Sequence, residues 1–108
     1  MRIVSAASAF PKYLFAREPV LGKEVFGSWI IHTGGPKVLD AVQASLGLPD
    51  SALDLSWECL RRVGNLSSAS VLVVLEDVFA RGGGEPGSYS VLAAMGPGFC
   101  SELLLLRW

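Results

Sequence analysis

Residues 103–106 are four consecutive leucines, flanked by Glu102 and Arg107. A run this short between charged residues suits a strand, where successive side chains point to opposite faces. Such a strand must be covered on both sides, the condition met in layered α/β sheets. Covering two faces is difficult for 108 residues, because a domain of this size leaves much of its surface in water. Apolar residues nevertheless make up 51% of the chain and charged residues only 18%, against about a quarter charged in ordinary soluble domains. The surplus implies a core element of something larger, or one half of an interface.

The remaining composition excludes several classes of function. A net charge of -1 supplies no basic field, so nucleic acid is not an expected partner. Cys59 and Cys100 lie far apart, with neither metal spacing nor a disulfide pattern, as befits a reducing compartment. The opening "MRIVSAASAF" has too short an apolar stretch for a signal peptide and is followed by Pro11. No run approaches the ~18 apolar residues of a membrane span. A soluble, cytoplasmic protein without a membrane partner is expected.

Along the chain, residues 2–9 read as a strand of small residues ended by Phe10-Pro11. We divide the chain into an N-terminal strand segment (1–17), a linker or seam (18–27) and a C-terminal unit (28–108). The last opens with "WIIH", a buried strand, followed by a Gly34-Gly35 turn and by Pro36 at the first position of a helix. Val38, Leu39, Val42 and Leu46 form that helix's apolar face, and Gly47 stops it. A shorter helix is expected over Ser56–Val63, with Arg61 and Arg62 favourably placed in its last turn. Ser67 or Ser68 is expected to cap a third helix running to about Ala80, apolar through Leu75 and therefore buried. Glycines 82–84 then make a flexible loop. "SYSVLAAM" and "CSELLLLRW" pair as a hairpin around Gly96-Pro97-Gly98.

Four side chains are candidates for chemistry. His32, the only histidine, either closes a strand or delivers an imidazole that titrates near neutrality to a reaction centre. Asn65, between Gly64 and the start of a buried helix, is either a turn residue or an amide that donates to a developing oxyanion. Cys59 precedes two arginines that could lower its pKa, but both it and Cys100 read as buried, inert thiols. "GGPK" and "RGGGEPG" have neither P-loop order nor dinucleotide-binding spacing. No Gly-x-Ser-x-Gly elbow is present, and one His with two distant Cys does not fill a zinc site.

Three blocks, "WIIHTGGPKVLDAV", "LRRVGNLSSASVLVVLED" and "AMGPGFCSELLLLRW", agree in order and spacing with the C-terminal portion of a type III polyketide synthase. The chain resembles the bacterial members of this chalcone synthase-like group over about residues 27–108, and "RIVSAASAFPKYLFA" resembles the group's opening strand less specifically. The resemblance implies an α/β, thiolase-like fold, here incomplete: the C-terminal half of a layered αβαβα sandwich. It implies an acyltransferase that condenses malonyl-CoA onto an acyl-CoA starter with loss of carbon dioxide. The thioesters are substrates, no cofactor or metal is needed, and the full-length family forms homodimers. The family uses a Cys-His-Asn trio, in which His and Asn donate hydrogen bonds to the malonyl thioester carbonyl and so stabilise an enolate. By motif match His32 is that histidine and Asn65 that asparagine, while Gly96, Pro97 and Gly98 form the loop that shapes the substrate pocket. Neither Cys59 nor Cys100 matches the nucleophile's motif, and the segment that carries it is expected to be missing at the seam. The chain by itself is then expected to be inactive, or to serve as a non-catalytic association fragment.

Overall fold

The computed structural model describes residues 1–9, 26–98 and 100–108. Most of the expected linker lies outside the described residues. Among these residues four strands and three α-helices follow in the order β1 (Arg2–Ala9), β2 (Phe26–Ile31), α1 (Pro36–Leu46), a 3-10 turn (Asp50–Leu53), α2 (Asp54–Val63), α3 (Ala69–Ala80), β3 (Tyr89–Gly96) and β4 (Cys100–Arg107). The strands form one sheet in the order β1-β4-β3-β2. β3 and β4 are the expected hairpin, antiparallel from Gly96↔Cys100 to Tyr89↔Arg107. β2 runs parallel to β3 and β1 antiparallel to β4.

Alternation along the strands divides the core into two layers, one on each face of the sheet. Ile30, Leu92 and Leu106 pack with Val71, Val74 and Val78 of α3 and with Cys59 of α2. Trp29, Ile31, Val91 and Ala93 pack with Leu39 of α1 and with Leu53. The leucine run is split accordingly, Leu104 toward the first layer and Leu103 toward the second. Helix α2 lies along the edge of β2 that no described strand pairs. There the buried Ser56 Oγ donates to the Ile31 carbonyl at 3.0 Å and accepts from the Ile31 N–H at 3.4 Å. One hydroxyl thus satisfies two backbone groups that an edge strand leaves unpaired.

Several expectations need correcting. β2 begins at Phe26, inside the expected linker, with a register shift at Gly27 that makes the extra residues hard to read as strand. It ends at Ile31, although the His32 N–H still reaches the Ala93 carbonyl at 2.9 Å. α2 starts two residues earlier than expected, at Asp54. Neither Ser67 nor Ser68 caps α3 through its side chain; Ser70, inside the helix, reaches back instead, its Oγ accepting from the Leu66 N–H at 2.6 Å. Nor is α3 buried throughout its apolar stretch: Leu72 is 60% exposed, and Phe79 beyond it 49%. With Val63 and Leu66 they show where the apolar surplus stays uncovered.

Glycines 82–84, expected as a loop, form a notch for Trp108. Trp108 lies against Gly83 and Gly84, its indole N–H donating to Ser90 Oγ at 2.8 Å and its ring edge-on to Phe79. Its N–H and carbonyl bond Ser88 and Gly87, closing the turn onto the sheet.

Candidate active site

The carboxyl ends of β2 and β3 open into a cleft of about 670 Å³, whose walls include His32, Asn65, Ser67, Met95, Pro97 and Cys100. A second cleft, of about 600 Å³, lies at the amino end of β2 between Phe26 and Arg81 and holds none of the residues nominated for chemistry. Ligands of open α/β sheets characteristically bind at the carboxyl ends of strands.

His32 enters this cleft because β2 and its bond to Ala93 carry it there, and because the chain then turns sharply. The Gly34 N–H returns to the His32 carbonyl at 2.9 Å, and Gly35 adopts φ 136°, a conformation that suits glycine alone. Pro36 then starts α1 as expected. The imidazole lies along Gly34: a Cβ there would stand 3.4 Å from the ring's Cδ2 and 3.5 Å from Nε2. His32 is 7% exposed, and its buried Nδ1 has no hydrogen-bond partner among the described residues. Burial lowers its pKa from the ordinary 6.5, so the ring is neutral at neutral pH and keeps one donor and one acceptor.

Asn65 lines the same cleft from the turn between α2 and α3. Its Oδ1 accepts from the Ser67 N–H at 2.9 Å, an Asx turn that commits the oxygen and leaves the amide NH2 as the free end. Ser67 completes the turn at φ 56°, the one non-glycine residue with positive φ among those described. A strained backbone beside a cleft is the arrangement in which conformational strain accompanies function.

Gly96 and Pro97 of the hairpin line the same cleft, as do Cys100 and Glu102, while Gly98 occupies the turn itself at φ 109°. The structure therefore brings together His32, Asn65, Gly96 and Pro97. Cys100 departs from its expected burial: it is exposed, because it is the first residue of β4 at the rim. Cys59 is fully buried, and burial raises its pKa, opposed by a hydrogen bond from Thr33 and by the Arg62 charge. Sequence reasoning missed Ser67, Met95 and Glu102 as wall residues. Glu102 could have been found from the hairpin register, which sets it opposite Ala94. Among the described residues no three His, Cys, Asp or Glu side chains gather as a metal site, and no helix is long and apolar enough to cross a membrane.

A mixed sheet covered by helices, with His32 and Asn65 facing one cleft at its carboxyl edge, defines a thiolase-like α/β unit. Its solved counterparts include 1,3,6,8-tetrahydroxynaphthalene synthase from Streptomyces coelicolor A3(2), a bacterial type III polyketide synthase, at TM-score 0.73 and 37% identity over 77% of this chain and 24% of that one. PKS-I from the brown alga Ectocarpus siliculosus also superposes at TM-score 0.73, with 34% identity over 81% of this chain and 24% of that one. Residues 15–108 match the family of chalcone and stilbene synthases, C-terminal domain, and the chain belongs to that family. It is 66% identical over 82 residues to 1,3,6,8-tetrahydroxynaphthalene synthase of Streptomyces peucetius subsp. caesius, covering 76% of this chain. A 3,5-dihydroxyphenylacetyl-CoA synthase of Amycolatopsis balhimycina is 41% identical over 88 residues, or 82% of this chain. The chain spans 22% and 24% of the lengths of these two relatives.

Proposed function

We propose that the His32–Asn65 cleft binds the malonyl thioester of coenzyme A and promotes its decarboxylation during acyl transfer, the activation step of a type III polyketide synthase. The observation that carries this reading is the convergence of a neutral, partly unpartnered imidazole and an oriented amide NH2 on one cleft. Loss of carbon dioxide leaves negative charge on the thioester oxygen. Two donors fixed before the reaction stabilise that charge without reorganising, the largest single contribution in many enzymes. The neutral imidazole donates from one ring nitrogen, and Asn65 donates through Nδ2. Gly96, Pro97 and Gly98 shape the space beyond the thioester. Assembly as a homodimer belongs to the same reading.

The reading is tested by titrating the 108-residue chain with malonyl-CoA and following carbon dioxide and ketide products by mass spectrometry. Saturable binding is expected, without ketide product, since neither cysteine in these residues matches the family's nucleophile motif. Binding that is unchanged in His32→Ala removes the proposed role of the imidazole.

A second reading, a non-catalytic association fragment, is supported by the exposed apolar side chains Val63, Leu66, Leu72 and Phe79. Large apolar patches on a small protein mark interaction surfaces. Sedimentation tests it: a monomer that unfolds cooperatively at all concentrations counts against it.

A further inference from the structure

We infer that Thr33 is a positioning residue, a buried strut that fixes the turn carrying Asn65 against the strand end carrying His32. It thereby sets how far apart the two donors stand in the cleft. The inference rests on the reading that this pair binds a malonyl thioester, but it concerns a different side chain. Thr33 follows His32, Gly64 precedes Asn65, and the Thr33 Oγ1–H donates to the Gly64 carbonyl at 3.4 Å. His32 and Asn65 line the cleft, whereas Thr33 is fully buried. A covalent neighbour of one donor thus bonds a covalent neighbour of the other.

The two donors are not held alike. The His32 N–H reaches the Ala93 carbonyl at 2.9 Å, and Ser56 holds both backbone groups of Ile31 just before it. On the other side the bonds are local. Asn65 Oδ1 accepts from the Ser67 N–H, Ser70 Oγ accepts from the Leu66 N–H, and the Gly64 N–H donates to the Leu60 carbonyl. These bonds shape the turn and tie it to α2 and α3, but none of them reaches the strand end. The bond from Thr33 does.

Two further observations support the strut. Gly64 stands at φ 73° and ψ −159°, a region open essentially to glycine alone, and its carbonyl is the one that Thr33 bonds. A hydroxyl is also kept at a fully buried position that valine would fill equally well, and buried polar groups are costly unless paired. Cys59 hydrogen-bonds the same threonine side chain, and its Sγ lies 3.9 Å from the Ser70 carbonyl, which extends the link to the first turn of α3.

The test titrates malonyl-CoA into the 108-residue chain by calorimetry, with Thr33→Val and Thr33→Ser beside the native protein. Amide hydrogen exchange is followed in parallel. Thr33→Val keeps the shape and removes the donor, and Thr33→Ser keeps the donor. Affinity is expected to fall about tenfold or more in Thr33→Val and to return to within about twofold of native in Thr33→Ser. Exchange at Leu66 and Ser67 should quicken in Thr33→Val, while the His32 amide, held by Ala93, stays protected. A purely structural role would lower stability and leave the affinity of the folded chain unchanged. Thr33→Ala, which also removes the hydroxyl, takes the place of Thr33→Val if that variant does not fold. Native affinity in Thr33→Val, or no recovery in Thr33→Ser, overturns the proposal. If the native chain binds no malonyl-CoA, the ligand reading falls and exchange decides the strut alone. Protection at Leu66 and Ser67 equal to native in Thr33→Val then overturns it, and protection lost there but restored in Thr33→Ser upholds it.

Discussion

Trp108 lies so close to Gly84 that a Cβ on that glycine would stand 2.2 Å from the indole Cδ1. No real side chain occupies that position, so the loop must remain glycine or the indole must move. Moving it also breaks the Nε1–H bond to Ser90 Oγ. Overfilling a packed site costs about 1–3 kcal/mol. Gly84→Ala is therefore expected to lower the urea midpoint substantially, and to cost less in a Trp108→Ala background than alone. Equal costs in the two backgrounds would show that the contact is not responsible.

Ser56→Ala tests how the His32 strand is held. The hydroxyl is the side-chain partner of both the Ile31 N–H and the Ile31 carbonyl, and it is fully buried. Its removal leaves buried polar groups unsatisfied, at a cost of about 1–3 kcal/mol. The expected outcome is that loss in urea denaturation, with faster amide exchange at Ile31 and His32. Unaltered exchange there would mean that β3 alone fixes the strand.

These two contacts show where sequence reading reaches its limit. β1, α1 and the β3–β4 hairpin were legible because their signals are local: a run ended by Pro11, Pro36 at a helix start with Gly47 in the left-handed stop at φ 58°, and a Gly-Pro-Gly turn between apolar runs. The placement of Trp108 in a glycine notch and of Ser56 on a strand edge joins residues 24 and 25 positions apart, which no periodicity reports. α3 misled for the opposite reason. Its composition is apolar nearly all round, but the described residues cover only the face carrying Val71, Val74 and Val78 and leave Leu72 in solvent. Of the cleft, His32 and Asn65 were legible only through the family motif, since a lone His or a Gly-Asn pair is locally ambiguous. Cys100 and Glu102 needed the register of β4 against β3.

Acid should weaken the fold through His32. Burial lowers its pKa below 6.5, so between the folded value and 6.5 the unfolded chain binds a proton that the folded chain refuses. Stability is then fully present above 6.5 and is lost as pH falls through that window. His32→Gln is expected to flatten this limb in urea titrations from about pH 5 to about pH 7. An identical slope in the variant would place the effect on other groups.

Alkali should act through Cys59 in the reverse sense. Burial holds its thiol protonated above the ordinary 9.0, so the contribution is complete below that pH and is lost as pH rises toward the folded value. Cys59→Ala should remove that slope while leaving a cavity cost at neutral pH. A persistent alkaline limb in the variant would assign it elsewhere.

Asn65→Asp separates the two ends of one side chain. A carboxylate still accepts from the Ser67 N–H, so the Asx turn and the φ 56° conformation of Ser67 are retained. It cannot donate, however, and it places negative charge where the proposed enolate develops. Thermal stability is expected to change by about 0.5 kcal/mol or less, as for surface substitutions outside special features. Affinity for malonyl-CoA should fall about tenfold or more, the loss of a hydrogen bond that a charged acceptor makes. Asn65→Ala removes the acceptor as well, so it should lose stability and affinity together. If the Asn65→Asp variant binds malonyl-CoA as tightly as the native chain, the amide is a turn residue and nothing more.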